Sequence, residues 1–333
     1  MGEGRGEFSQ IPALDVGGLY DTSGVAMQEV ARGLRSHLES VGFVYVAGHR
    51  VPSDAVAGVR EMSRAFFALS EAEKLQLKIN RDFRGYLPFA GSTIVTSSVA
   101  SVSKPNQSES IFFMHEVGAD DPRAGEPLQG PNQWPDETKL SGFRRTIERY
   151  VAEMSDLSRR LVRAVAIAVD LPEESLDGFF ERPTTFLRLL HYPPQPEEAG
   201  LFGSAPHTDY GFITLLAQDD VGGLEVRNKA GEWIAAPPVP DTFVMNVGDI
   251  LARWSNDRFV STPHRVINRS GRERYSQPFF FDPAMDARIE ALPTCVAQGA
   301  KAKHPPVQYG DYLMERIDKN YHYRRGAANE KRG

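Results

Sequence analysis

Cysteine is almost missing from this chain: Cys295 stands alone among 333 residues, which excludes an internal disulfide. Long apolar runs are missing too, and no window approaches the roughly 20 residues that a membrane-spanning helix requires. Positive charge is in deficit, with 38 Lys and Arg against 44 Asp and Glu and a formal net charge of −6. That balance argues against a general affinity for nucleic acid or anionic membrane, both of which attract basic surfaces. There is no internal repeat, no low-complexity linker and no H-E-x-x-H helix of the kind that serves zinc hydrolases. The opening MGEGRGEFSQ lacks the apolar core of a secretory signal, so the expected home is the reducing cytoplasm. The expected partner is a small molecule, and the expected state a monomer or weak homo-oligomer.

What is present suffices for one large or two ordinary domains with a real core, at 41% hydrophobic and 25% charged residues. IPALDVGG reads as a short strand and turn, and the next helix carries Met27, Val30, Leu34, Leu38 and Val41 near the 3.6-residue period. GFVYVAGH reads as a strand, and PSDAVAGVREMSRAFFAL opens a second helix. Ser70 and Glu73 have the spacing of a capping box for a third. Residues 81–135 are rich in Gly, Ser, Pro and Asp and predict irregular chain, apart from a strand around ESIFFMHE. A long spine helix is marked by Leu140, Phe143, Ile147, Val151, Met154, Leu157, Leu161 and Val165. From Thr184 onward short β-like runs alternate with turn residues, which suggests an all-β barrel or sandwich. QYGDYLMERIDKNY predicts a final helix over one end, and RRGAANEKRG a frayed polar tail. The chain thus divides into a helix-rich mixed region at 11–130, the spine helix and its connection at 131–183, a β core at 184–290 and a C-terminal helix and tail at 291–333, packed intimately.

The β core holds the polar residues that need explaining. In APHTDYGFITLLAQDDVGGLEV, His207 and Asp209 stand two apart at the start of a run that reads as buried strand, where i and i+2 share a face. A structural His–Asp hydrogen bond would account for the pair alone. A third candidate, His264 in STPHRVINR, follows another apolar run. Two histidines and one carboxylate on one face of a metal leave its opposite positions open, as in non-haem Fe(II) oxygenases; zinc is the rival metal. In RERYSQPFFF, Arg274 and Ser276 share a strand face, and the apolar residues after them predict that Arg274 is buried. A buried guanidinium needs an anion, and the distal carboxylate of 2-oxoglutarate would suit it, with the Ser276 hydroxyl assisting.

These motifs together resemble the isopenicillin N synthase-like family of iron- and 2-oxoglutarate-dependent dioxygenases. IPALDVGG, ESVGFVYVAGHRVP and FFALSEAEKLQL are similar to the family's N-terminal region, and FLRLLHYPP, HTDYGFITLLAQDDVGGLEV and NVGDILARWSND to its core strands, so the resemblance spans roughly residues 11–315. It implies an α+β fold, a double-stranded β-helix or jelly roll buttressed by helices. It also implies that His207, Asp209 and His264 ligate Fe(II), that Arg274 and Ser276 bind the C5 carboxylate of 2-oxoglutarate, and that Tyr192 contacts this cosubstrate or packs the barrel. The reaction implied consumes O2 and 2-oxoglutarate, releases succinate and CO2, and hydroxylates a C–H bond, or desaturates or cyclises the substrate. Within the family, LRLLHYP, HTDYGFITLL and LARWSND resemble thymine 7-hydroxylase, while HTDYG with AQDDVGGL is also similar to the ethylene-forming enzyme.

Substrate-pocket candidates follow from alternation. Arg188 shares a face with Tyr192 and needs either a substrate group or a structural carboxylate. Tyr210, beside Asp209, and Phe280, in register with Arg274 and Ser276, face the cavity or pack the core; Phe112, Phe113 and Met114 are further candidates. Gly222 and Gly223 predict a turn, as do Asn246, Gly248 and Asp249 next to the metal strand. His191, alternating away from Tyr192, reads as structural or external, and His304 as a loop residue. The expected activity is oxidation of a small molecule in specialised metabolism, antibiotic biosynthesis included. An iron oxidase that dispenses with 2-oxoglutarate, an ethylene-forming-type enzyme that fragments 2-oxoglutarate, and a catalytically silent binding protein are the other readings. Either the stretch 81–106 or the last helix is expected to cover the site.

Overall fold

The computed structural model describes residues 8–21, 24–196 and 198–325. The tail expected to fray lies, from residue 326, outside the described residues. Along the chain, β1 (Ala13–Asp15) leads to α1 (Val25–Ser40), β2 (Phe43–Ala47), α2 (Ser53–Phe67) and the short α3 (Glu71–Leu75). Next come β3 (Gly85–Leu87), β4 (Glu109–Met114) and the long α4 (Phe143–Ala168). Strands then dominate: β5 (Thr184–Tyr192), β6 (Ser204–His207), β7 (Ile213–Gln218), β8 (Leu224–Arg227), β9 (Trp233–Ala235) and β10 (Phe243–Val247). After α5 (Asp249–Trp254) follow β11 (His264–Val266), β12 (Arg274–Asp282), β13 (Arg288–Ile289), β14 (Val307–Gln308), α6 (Tyr309–Asn320) and α7 (His322–Arg325).

The helices α1 to α4 form where apolar periodicity and caps predict. Met27, Val30, Leu34 and Leu38 make the buried stripe of α1. Ser70 caps α3 reciprocally: its backbone N–H donates to Glu73 Oε2 at 2.9 Å, and its side chain accepts from the Glu73 N–H. In α4 the buried face runs from Phe143 through Ile147, Met154, Leu157 and Leu161 to Val165, while Leu140 precedes the helix. The stretch 81–135 holds a second strand, β3, which three residues are too few to reveal by alternation.

Strands from both ends of the chain build one eight-stranded sheet, ordered β1-β2-β10-β7-β12-β5-β4-β3. A four-stranded sheet, β6-β11-β8-β9, supplies the second layer of a jelly roll. The fold is α+β, with α1, α2 and α4 packed together outside the larger sheet. Register sets which side chains face inward. Arg274 pairs with Tyr192, Ser276 with Leu190, Phe280 with Phe186, and Phe112 with Arg188. With two-residue alternation, this register puts Phe112, Arg188, Tyr192, Arg274, Ser276 and Phe280 on one face of the sheet.

The opposite face carries a buried charge network. Glu109 pairs across the strands with His191, whose Nδ1 lies 2.8 Å from Glu109 Oε1; Lys74 Nζ reaches Glu109 Oε2 at 2.7 Å, and the Tyr86 hydroxyl donates to the same oxygen. His191 also bridges to Glu273 and stacks on Tyr275, so its role is structural rather than external. Burial alone would raise the Glu109 carboxyl, but the bonds from His191, Lys74 and Tyr86 outweigh it and hold the pKa below its ordinary 4.5. Glu109→Gln is expected to cost about 3 kcal/mol at pH 7 by leaving Lys74 uncompensated. The sign follows from the depressed folded pKa. The stabilisation is complete above 4.5 and fades as pH falls through the folded value, so wild type and variant converge in acid. Denaturant unfolding at pH 7 and below pH 4.5 reads this; equal stability at pH 7 would refute it.

Candidate active site

β6 and β11 run antiparallel with His207 opposite His264, bringing the two imidazole centroids within 4.3 Å. Asp209 is not on the strand: β6 ends at His207, and the carboxylate projects from the turn that follows. The reading of both residues on one strand face is therefore corrected, although the turn still brings them together. Backbone clasps hold this turn. The N–H groups of Gly248, Asp249 and Ile250 at the start of α5 donate to the carbonyls of Phe212, Asp209 and Gly211 at 2.9, 2.7 and 2.9 Å. A Cβ on Gly248 would sit 2.2 Å from the Gly211 oxygen, so this approach requires glycine. The expected turn at Asn246, Gly248 and Asp249 is thus a strand end passing into a helix, with Asn246 inside β10.

Each residue of the triad has a hydrogen-bond partner that selects which of its atoms remain free. His207 Nδ1 lies 2.7 Å from the Ala205 carbonyl and His264 Nδ1 3.2 Å from the Thr262 carbonyl. A carbonyl only accepts, so each Nδ1 carries a proton, and in the neutral imidazole the lone pair lies on Nε2. Asp209 Oδ2 accepts from Thr214 Oγ1 at 2.6 Å and Asn246 Nδ2 at 2.7 Å. Oδ1 is left facing both Nε2 atoms, 3.7 Å from each. One ligand atom from each of the three residues lies within 4.8 Å of the others, so the cluster could hold a metal ion. Burial, then the adjacent His264, pushes His207 toward its neutral form. Burial would raise Asp209, but His264, His207 and the two donors lower it. Neutral imidazole beside ionised carboxylate is the ligating protonation state.

Arg274 is fully buried. Nε donates to the Gly222 carbonyl, Nη1 lies 3.3 Å from Ser276 Oγ, Nη2 3.4 Å from Gln218 Oε1, and Tyr192 stacks its ring 4.7 Å beneath Cζ. None of these partners carries a negative charge, a costly arrangement for a buried cation unless an anion joins it. A cavity of about 550 Å³, open solvent included, runs from His207, Asp209 and His264 to Arg274 and Ser276. The donor set thus fits a metal at one end and a carboxylate at the other. The Gly222–Gly223 turn supplies an acceptor for Arg274 besides reversing the chain; Gly223, at φ 93°, presses against the Ile267 carbonyl where a Cβ would clash at 2.6 Å.

A second cavity, about 750 Å³ and partly open to solvent, adjoins the first and shares Arg188, Ser204, His207, Asp209 and Phe280 with it. Arg188, Tyr210, Phe280 and Phe112 all line it. Phe113 and Met114 do not: Phe113 stacks on Trp134 at 4.8 Å, and Met114 Sδ lies 3.5 Å from Arg84, which corrects their candidacy. His304 sits on the surface against Asp257, away from the triad. Sequence reasoning missed Thr214, Asn246, Gln218 and Asp282. Their one signal was polarity within apolar strands.

Both segments expected to cover the site form its wall, since Ser92, Ile94 and Asn106 meet Leu313, Ile317, Asn320 and Tyr321 there. Asn320 clasps them together: Oδ1 accepts from Val95 N–H at 2.9 Å, and Nδ2 donates to Thr96 Oγ1 at 2.8 Å and to the Tyr210 hydroxyl. Asn320→Ala is expected to raise limited proteolysis within 88–104 several-fold while Fe(II) affinity stays within about twofold, since only the wall loses bonds. An unchanged cleavage rate would show that the clasp contributes nothing.

Comparison with known proteins agrees with this geometry. Residues 183–283 match the 2OG-Fe(II) oxygenase superfamily model, and residues 11–137 match the model described as non-haem dioxygenase in morphine synthesis N-terminal. The 2-oxoglutarate-Fe(II) type oxidoreductase hxnY of Emericella nidulans is 36% identical over 93% of this chain and 90% of its own length. Homoarginine-6-hydroxylase 2-ODD-233 of Oryza sativa subsp. japonica is 36% identical over 95% and 98%. The thymine 7-hydroxylase of Neurospora crassa, solved in complex with alpha-KG and thymine, superposes with a TM-score of 0.83 at 29% identity, covering 94% of this chain and 98% of that one. The chain belongs to the 2OG-Fe(II) oxygenase superfamily. It is a dioxygenase that uses Fe(II), 2-oxoglutarate and O2.

Proposed function

We propose that His207, Asp209 and His264 hold the Fe(II), that Arg274 with Ser276 and Tyr192 receives the C5 carboxylate of 2-oxoglutarate, and that Arg188, Tyr210, Phe280 and Phe112 contact a small-molecule substrate. When bound, Fe(II) with 2-oxoglutarate and O2 supplies the oxidising power for an unactivated C–H bond, yielding succinate, CO2 and a hydroxylated product, or a desaturated or cyclised one. The observation that carries this reading is a buried guanidinium without an anion, at one end of a cavity whose other end presents two free Nε2 atoms and one carboxylate oxygen. Thr214 and Asn246 orient Asp209, and the carbonyls of Ala205 and Thr262 fix the imidazole tautomers.

The setting we infer is oxidative tailoring in specialised metabolism, antibiotic biosynthesis included, in the cytoplasm. The lone Cys295 supports a reducing compartment, and no described helix is long and apolar enough to cross a membrane. The net charge of −6 supports a small-molecule rather than a nucleic-acid partner, and the same reading takes the protein as a monomer or weak homo-oligomer. The division into 11–130, 131–183, 184–290 and 291–333 belongs to it too, supported by family matches at 11–137 and 183–283. The test is incubation of the Fe(II) protein with 2-oxoglutarate and O2 across a small-molecule library, following succinate and substrate mass. Succinate formed in step with an oxidised product supports the reading; oxidised product without succinate refutes it.

A further inference from the structure

Resting on that reading, we propose that the prime substrate is a small monocarboxylate with a largely apolar body, its anionic group docked on Arg188. The residue sits mid-strand in β5, half-buried, with Cζ 4.6 Å over the Phe112 ring, and its Nε is buried without a partner. Among the described residues no carboxylate pairs with it. The two acids that line the same cavity are committed elsewhere. Asp209 Oδ2 is held by Thr214 and Asn246 while Oδ1 faces the imidazoles, and Asp282 takes the Phe212 N–H at 2.6 Å and the Tyr309 hydroxyl at 2.7 Å.

The rest of the cavity sets the body of the ligand. Its remaining polar lining is uncharged, as at Ser92, Asn106 and Asn320, and its walls are apolar at Phe83, Ile94 and Leu313. One guanidinium with one face covered by an aromatic ring offers a fork that matches a carboxylate. A neutral carbonyl would leave the guanidinium without a counter-ion, and a single carboxylate matches the single fork in charge and geometry. Arg188 borders both cavities, so it anchors one end of the ligand beside the triad and fixes which carbon is presented for oxidation. The reaction balances with the anchor untouched: substrate C–H, O2 and 2-oxoglutarate give substrate C–OH, succinate and CO2. One oxygen atom enters the product and one the succinate. Two of the four electrons that reduce O2 come from the C–H bond and two from oxidative decarboxylation.

The test is anaerobic calorimetry on the Fe(II) protein saturated with 2-oxoglutarate, using 3-phenylpropanoate, hexanoate and cyclohexanecarboxylate, each beside its primary amide. At least one acid is expected to bind about tenfold or more tightly than its amide, the scale of a charge-assisted hydrogen bond. Arg188→Met and Arg188→Gln are expected to erase that preference while both variants still saturate with 2-oxoglutarate, which also certifies that they are folded. Acids that bind no better than their amides, or a preference that survives in both variants, would overturn the proposal. Failure of the wild type to take up 2-oxoglutarate is a separate result, which would overturn the parent reading and this proposal with it.

Discussion

Asp209→Ala is expected to weaken Fe(II) binding by at least about a hundredfold, because removing even an outer partner of a metal ligand costs roughly 10- to 100-fold. Two effects act together. The substitution deletes the one anionic donor of the cluster, and it leaves Thr214 Oγ1 and Asn246 Nδ2, now bonded to Asp209 Oδ2, without an acceptor. Asn246→Ala tests the second effect alone and is expected to fall between wild type and Asp209→Ala. Titration of the apoprotein with Fe(II) under argon, alongside circular dichroism to confirm folding, reads both variants. Asp209→Ala with wild-type affinity would remove the triad from the account.

Arg274→Leu is expected to raise the 2-oxoglutarate concentration for half-saturation by at least about a hundredfold, since each charge-assisted bond to a carboxylate contributes about 1.5–3 kcal/mol. Fe(II) affinity should not change, because Arg274 lies at the far end of the cavity from the triad. Pyruvate, a 2-oxo acid without the distal carboxylate, provides the control: the variant should bind it as well as wild type does. The ligand-free variant should unfold no earlier than wild type, because a buried guanidinium without an anion is exchanged for a side chain that needs none. Equal loss of pyruvate and 2-oxoglutarate binding would mean that Arg274 supports the barrel rather than recognising the C5 carboxylate.

Much of this architecture can be read locally. The spine helix shows because its apolar stripe repeats over 26 residues, and the third helix because Ser70 and Glu73 cap it at fixed spacing. His207, Asp209, His264 and Arg274 stand out because charged or polar groups amid apolar strands demand compensation. β3 is hidden because three residues cannot display a period, and Asp209's place in a turn because it depends on the clasp from Gly248, Asp249 and Ile250, about forty residues away. Asn246 and Thr214 escaped for a related reason. They become partners of Asp209 only through the register in which Asn246 pairs with Thr214 across β10 and β7. Phe112 and Phe113 show the limit of alternation: it says that adjacent residues face opposite ways, while only the pairing of Phe112 with Arg188 says which one faces the cavity.

The central claim is that the triad and Arg274 together hold Fe(II) and 2-oxoglutarate in one cavity, and anaerobic titration of the Fe(II) protein with 2-oxoglutarate tests it most directly. The signal is the visible charge-transfer absorption of a metal-chelated 2-oxo acid. The account predicts a band that saturates at one 2-oxoglutarate per iron, is absent in Asp209→Ala and needs far more ligand in Arg274→Leu. Stoichiometric iron with no band at any 2-oxoglutarate concentration would contradict it.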